Sequence, residues 1–129
     1  GPRSPLAFHV DPQGMQARGE WRGLRIELEL SLDAAAPRWF WHLTVANAGS
    51  GEGRVDLVYA QDLALAPYGA IRMNEYYVSQ YVDHTPLRHP QRGWLVASRQ
   101  NLAMDGRFPW TLIGALTRGE SYATDALQL

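Results

Sequence analysis

The feature that most constrains the fold is a strict alternation of apolar and polar residues between positions 24 and 32. The apolar positions are Ile26, Leu28, Leu30 and Leu32, and the residues between them are polar or charged. Successive side chains of a β-strand point to opposite faces, whereas apolar residues on one face of a helix recur every three or four positions. The alternation therefore predicts a strand with one face packed on apolar neighbours and the other face in water.

Further strand-like runs follow, separated by turn-forming stretches rich in Gly, Pro, Asn and Asp. We expect strands at 39–47, 54–65, 94–99 and 110–116, with a short one near 122–124. The run at 39–47, WFWHLTVAN, is apolar on both faces near its start, which predicts a central strand or one covered on both sides.

Two stretches of the second half are less regular. Residues 71–82 fit either a strand or an irregular loop, and the stretch HTPLRHPQRG at 84–93 indicates turns. No run of ten or more residues combines helical periodicity with caps at its ends. The sequence therefore predicts an all-β fold, an antiparallel β-sandwich of eight to ten strands with little helix.

Size and composition exclude several classes of function. The chain has 129 residues, the size of one domain or of part of one, and 46% of them are hydrophobic, which excludes intrinsic disorder. A net charge of −1 disfavours a general nucleic-acid-binding surface. The absence of cysteine excludes thiol catalysis and thiolate metal sites, and no run of apolar residues is long enough to span a bilayer as a helix.

Polar and aromatic residues concentrate in two stretches, NEYYVSQYVDH at 74–84 and SRQN at 98–101. Amides, carboxylates and guanidinium groups match the hydroxyl groups of sugars, and aromatic rings pack on the apolar face of a pyranose. The structural alternative is that the amides satisfy backbone groups of loops while the tyrosines fill the core. For Arg99, that alternative is an ion pair with Glu75 or Asp83 that holds a loop in shape.

The sequence predicts no catalytic residue, no metal and no cofactor. The two carboxyl groups of a glycoside-cleaving site lie about 5 to 9 Å apart. Glu75 and Asp83, on one straight strand, would be separated by roughly 26 Å. The four histidines, at positions 9, 42, 84 and 89, are too scattered for a recognisable metal site.

The order of four motifs carries a resemblance to a known family: NEYYVSQYVDHTPL, RGWLVASRQNL, RFPWTLIGAL and SYATDALQL. Over about residues 54–129 the chain resembles the N-terminal β-sandwich region of glycoside hydrolase family 94, formerly glycosyltransferase family 36. The pattern is most similar to the β-1,2-oligoglucan phosphorylase branch and to the phosphorylase-like part of cyclic β-1,2-glucan synthase. Ser79 matches the pattern, as do the ten positions that we take as candidate carbohydrate contacts: Asn74, Glu75, Tyr77, Gln80, Tyr81, Asp83, His84, Arg99, Gln100 and Asn101.

The resemblance implies a supersandwich of the galactose mutarotase type. Residues 1–129 would form a single β-sandwich domain, or a fragment of the N-terminal domain of a larger bacterial enzyme of carbohydrate metabolism. That enzyme would act on β-glucans, its inorganic phosphate would bind only in a separate catalytic barrel, and this chain would be non-catalytic. Its implied role is to shape the active-site entrance or a subunit interface.

The same resemblance implies a cytoplasmic location, or the cytoplasmic side of a membrane-bound enzyme, and no nucleic-acid partner. We also expect a homodimer through exposed sheet edges, and loss of activity when Gln80 or Arg99 of the larger enzyme is replaced by alanine. Two alternatives from other classes remain open: an independent carbohydrate-binding module, and an assembly or interaction domain.

Overall fold

The computed structural model of the protein describes residues 4–12 and 14–125. The chain divides into two compact units, Gly1–Val58 and Tyr59–Leu129, each with one antiparallel sheet. Within the described residues, no helix combines the length and the apolar character needed to cross a bilayer.

The first unit is a four-stranded meander. Its strands are β1 (Leu6–Asp11), β2 (Gly14–Trp21), β3 (Leu24–Leu32) and β4 (Trp39–Asn47), and they lie side by side in chain order. The two residues between β2 and β3, Arg22 and Gly23, both have positive φ angles, of 50° and 78°. This is the turn that matches the twist of a two-residue hairpin, so the alternating run begins as a separate strand at Leu24.

Period-two alternation gives this sheet one apolar face and one polar face. Ile26 and Leu28 of β3 lie opposite Gly19 and Ala17 of β2, and opposite apolar residues of β4. Ala17, on the second strand, is 1% exposed and is the buried centre of that face. The alternation therefore predicted β3 and its sidedness correctly.

The position of β4 within the sheet differs from the expectation. Its bounds, Trp39–Asn47, are those expected from the sequence, but β4 pairs only with β3 and is an edge strand of the described sheet. Trp39 and Trp41 are 41% and 38% exposed. The expectation of a central strand, or of one covered on both sides, is wrong for the described residues, because the order of strands follows from the chain connections and not from the composition of one strand.

The segment 54–65, expected to be a strand, has no regular secondary structure. Leu57 and Val58 are 72% and 66% exposed, and none of the described strands pairs with the segment. A strand requires a neighbour that satisfies its backbone N–H and C=O groups, so an alternating pattern without a partner does not suffice.

Residues 68–79 form a helix, α1 (Tyr68–Ser79), where the sequence indicated a strand or an irregular loop. Pro67 precedes α1 without a side-chain cap, and Asn74 has extended backbone angles (φ −162°, ψ 82°) in its middle. The Oδ1 atom of Asn74 accepts a hydrogen bond of 3.0 Å from the N–H of Tyr77, so Asn74 caps the second half of the helix. Because the kink interrupts the helical period, no continuous amphipathic pattern appears in the sequence.

The second unit contains a three-stranded sheet with the order β5 (Val82–His89), β6 (Gly93–Gln100), β7 (Trp110–Gly114). The strands expected at 94–99 and 110–116 are confirmed to within two residues at each end. Strand β5 occupies most of the stretch that indicated turns. Its Pro86 lacks a backbone N–H, which an edge strand tolerates because one side of that strand has no ladder to complete.

The fold class is confirmed as all-β and antiparallel, since each unit contains one antiparallel sheet. The described residues contain seven strands and one 12-residue helix, fewer strands and more helix than expected. Residues 122–124 do not form a strand. The SYATDALQL motif ends at 126–129, which lie outside the described residues.

Candidate functional site

Three side chains form a row across the second sheet, at the end where β5 and β7 begin and β6 ends. The register places Arg99 of β6 directly between Asp83 of β5 and Trp110 of β7. Directly opposed residues of antiparallel strands share one face of the sheet, and neighbouring strands lie about 4.8 Å apart. A carboxylate, a guanidinium and an indole therefore lie side by side on one face.

The next row on the same face contains Thr85 and Ala97, which are directly opposed. The alanine methyl group is too short to reach the level of its larger neighbours, so the face is hollow at this point. The result is an open depression of about 390 Å³. We call it the sheet groove, and its lining is Asp83, Thr85, Ala97, Ser98, Arg99, Asn101 and Trp110.

Two contacts orient the charged groups of the sheet groove. The side-chain amide of Asn101 donates a short hydrogen bond to the carboxylate of Asp83. The guanidinium of Arg99 lies over the ring of Phe108, 5.2 Å from its centroid, in a cation–π arrangement. Among the described residues Arg99 makes no ion pair with Glu75 or Asp83, so the pair that the structural alternative requires is not formed.

Gln100 belongs to the opposite face and is 0% exposed. Its Nε2 group donates to the carbonyl oxygens of Ala64 (2.8 Å) and Val78 (2.9 Å), and its Oε1 atom accepts from the N–H of Leu102 (2.9 Å). This side chain joins the end of α1, the segment before it and the turn after β6. Gln100 therefore matches the structural alternative, in which an amide side chain satisfies backbone groups of loops. Since it is fully buried, it has no exposed atom that could contact a sugar.

His84 lies beside Gln100 on that opposite face. Its Nδ1 atom is 2.9 Å from the hydroxyl oxygen of Ser98, which is directly opposite in the register and 1% exposed. Strand alternation thus separates His84 from Asp83, although the two are adjacent in sequence.

The remaining candidates lie on α1 or just after it: Asn74, Glu75, Tyr77, Gln80 and Tyr81. All are exposed, and Gln80 ends the helix. Because Gln100 bonds to the carbonyl of Val78, the last turn of α1 lies on the face opposite the sheet groove. The cluster that looked continuous in sequence is divided between two faces of the sheet.

Tyr77 and Tyr81 form an edge-to-face pair with ring centroids 5.2 Å apart. The hydroxyl of Tyr81 donates a long hydrogen bond of 3.5 Å to the hydroxyl of Tyr77. This bond, followed by the repulsion of a negative charge on Tyr77, raises the pKa of Tyr81 above its ordinary value of 10.0. The raised pKa favours the uncharged phenol of Tyr81.

The sheet groove thus unites three of the sequence candidates: Asp83, Arg99 and Asn101. The sequence did not indicate Trp110 as a site residue, because a tryptophan in a strand is normally core. Trp110 is 70% exposed. The register between β6 and β7, which pairs it with Arg99, is the signal that would have identified it.

In the part of the chain that the structure describes, no group of three or more His, Asp or Glu residues is arranged to hold a metal ion. A smaller hollow of about 70 Å³ on the polar face of the first sheet is lined by residues such as Arg18, Glu27 and His42.

Fold and groove together define a small antiparallel β-domain that presents amide, carboxylate and aromatic groups on an exposed sheet face. Residues 1–129 match the family model of the SOGP N-terminal domain, and the chain belongs to that family.

One curated relative is 38% identical over 116 residues, a 1,2-beta-oligoglucan phosphorylase of Listeria innocua serovar 6a. The alignment covers 90% of this chain and 10% of that protein, so the chain spans about a tenth of the length of the relative it matches. The resemblance to the N-terminal region of β-1,2-oligoglucan phosphorylases is thereby confirmed.

Proposed function

We propose that this chain is a non-catalytic N-terminal β-region of a larger carbohydrate phosphorylase that acts on β-glucans, and that it shapes the active-site entrance or a subunit interface. The observation that carries the proposal is the 38% identity over 90% of the chain to a 1,2-beta-oligoglucan phosphorylase. The proposal includes a cytoplasmic location and an oligosaccharide substrate delivered to a catalytic part outside these residues.

The geometry of the second sheet supports a role without chemistry. Cleavage of a glycosidic bond requires at least one carboxyl group that transfers a proton to the leaving oxygen. The sheet groove holds one carboxylate, that of Asp83, and the amide of Asn101 already bonds to it. The carboxylate that a proton transfer would use is therefore already engaged by a neighbouring side chain.

The strongest competing function is an independent carbohydrate-binding module. The exposure of Trp110 beside polar groups favours it, because such modules bind sugars on aromatic platforms without any attached chemistry. Both functions place glucan contacts on this chain, and they differ in whether a phosphorylase activity accompanies it.

The test is phosphorolysis by the complete translation product of the gene that encodes this chain. The product is incubated with β-1,2-linked gluco-oligosaccharides and inorganic phosphate, and release of α-glucose 1-phosphate is measured. We expect phosphate-dependent release by the complete product and none by the 129-residue chain. Binding without phosphorolysis by the complete product supports the module instead, and phosphorolysis by the 129-residue chain contradicts the non-catalytic role.

A further inference from the structure

Trp110 differs from Trp94, the other tryptophan of the second sheet, because its large apolar ring is mostly in water. It belongs to an edge strand of five residues and is 70% exposed, whereas Trp94 of the neighbouring strand is half-buried and packs on Tyr122 with centroids 4.8 Å apart. An exposed indole loses the free energy that burial would supply. Packing within the described unit therefore does not account for its position.

The polar groups beside the indole are held in place. Asp83 and Trp110 flank the hollow from the two outer strands, which are separated by roughly 10 Å because two strand spacings lie between them. One carboxylate oxygen of Asp83 accepts from Asn101, and within residues 4–12 and 14–125 the other oxygen has no partner. The hydroxyl of Thr85 lines the same hollow.

The charges of the groove favour a neutral ligand. The groove has no net charge, because it contains one carboxylate, that of Asp83, and one guanidinium, that of Arg99. The carboxylate accepts a hydrogen bond from Asn101, and the guanidinium lies over the ring of Phe108. A neutral polyol with an apolar face fits such a site, since its hydroxyl groups meet the fixed acceptor and donors while its C–H face packs on the indole. The volume of about 390 Å³ falls within the usual range for small-ligand sites.

We infer that the sheet groove is a glucan subsite in which one glucosyl residue of a β-1,2-linked chain stacks on Trp110. Asp83, Asn101 and Thr85 take the hydroxyl groups at the edge of the ring, and the short side chain of Ala97 provides the space beneath it. The choice of glucan rests on the proposed function, whereas the position of the subsite rests on the geometry of the second sheet alone.

The experiment is a titration of the ¹⁵N-labelled 129-residue chain with a β-1,2-linked glucotriose, followed by NMR. Dispersed amide signals before addition establish that each variant is folded. We expect fast-exchange shifts with a millimolar dissociation constant, because a single exposed subsite forms few simultaneous contacts. The largest shifts are expected at the indole N–H of Trp110 and at the side-chain amide of Asn101.

Four variants separate stacking from general effects. Trp110→Ala is expected to weaken binding at least fivefold, and Trp110→Phe to retain it within about threefold, because phenylalanine preserves an aromatic face. Ala97→Leu fills the hollow while the chain keeps Trp110, and it is expected to weaken binding as strongly. Trp21→Ala, at a 49% exposed tryptophan of the other unit, is the matched control and should bind as the wild type does.

Three results overturn the subsite. They are no shifts at tens of millimolar ligand in a folded chain, equal affinity in Trp110→Ala, and equal affinity in Ala97→Leu. If Trp110→Ala does not fold, Ala97→Leu and Trp110→Phe decide the question. The outcome is independent of phosphorolysis, so a failed subsite leaves the proposed phosphorylase testable, and a failed phosphorylase leaves the stacking site testable.

Discussion

Replacement of Gln100 by alanine should be among the most destabilising single changes in the second unit. The side chain is 0% exposed and makes three hydrogen bonds of 2.8–2.9 Å, to Ala64, Val78 and Leu102. Truncation removes all three bonds and opens a cavity where the end of α1, the preceding segment and the turn after β6 meet.

The expected cost follows from those partners. Three lost hydrogen bonds at about 1 kcal/mol each give about 3 kcal/mol. The carbonyl of Val78 keeps a second bond, from the N–H of Tyr81, but the carbonyl of Ala64 and the N–H of Leu102 lose their side-chain partner. Leaving such groups unpaired raises the loss of unfolding free energy towards about 5 kcal/mol.

The assay is urea denaturation followed by far-ultraviolet circular dichroism, in which a loss of about 3 kcal/mol lowers the midpoint by roughly 1.5 M at a slope of about 2 kcal/mol/M. Gln80→Ala is the matched control: its side chain is exposed at the end of α1, and we expect a change within about 0.5 kcal/mol. Gln100→Glu keeps the volume but replaces the Nε2 group, which donates to two carbonyl oxygens, with an oxygen that can only accept. At pH 7 it should lower the free energy of unfolding at least as much. A loss below about 1 kcal/mol in Gln100→Ala would refute the reasoning.

Three further predictions concern other parts of the chain. Gly93→Ala should cost on the order of 2 kcal/mol or more in urea denaturation, because φ is +72° there and a Cβ atom would collide with the carbonyl oxygen of Gly119. Gly69→Ala, in α1 with no atom near its added Cβ, should instead be neutral or stabilising by up to about 1 kcal/mol. An equal loss of unfolding free energy in Gly93→Ala and Gly69→Ala would contradict this prediction. Tyr77→Phe should remove the hydrogen bond that raises the pKa of Tyr81 and shift the alkaline titration of Tyr81, followed by absorbance near 295 nm, down towards 10.0. The contribution of that bond to stability is present below pH 10.0 and is lost as the pH rises through the raised pKa, so an unchanged titration in Tyr77→Phe contradicts this assignment. Light scattering of the 129-residue chain should show a dimer, since β4 and β7 are sheet edges with exposed tryptophans, and a strict monomer at high concentration would contradict it.

The local pattern of apolar and polar residues was sufficient to predict single strands and which of their faces is apolar. The alternation at 24–32 predicted β3, and the bounds of β4 and β6 followed from runs between turn residues. Strand order, the edge position of β4 and the unpaired segment 54–65 depend on which strands become neighbours, and no single segment encodes that.

Helix α1 and strand β5 were missed for opposite reasons. The helix lacks a capping side chain at its start and is interrupted at Asn74, so it has neither the period nor the boundary signal of a regular helix. Strand β5 contains Pro86, a residue typical of turns, but an edge strand accommodates it.

The candidate site was predicted in composition but not in arrangement. Arg99 and Gln100 are adjacent in sequence and equally suited to a sugar, yet strand alternation sends one to the open groove and the other into the buried face. Only the pairing of three strands shows that Asp83 and Trp110 belong with Arg99.

The most direct measurement is the steady-state phosphorolysis of β-1,2-linked glucan by the complete translation product, wild type against Arg99→Ala, with the melting temperature recorded for both. A groove that holds glucan without taking part in the chemistry predicts a severalfold higher KM and lower kcat/KM, with kcat and the melting temperature nearly unchanged. Normal kinetics with a lower melting temperature would make Arg99 structural and contradict its contact with glucan. A collapse of kcat at unchanged KM would place Arg99 in the reaction itself and contradict the non-catalytic role proposed for this chain.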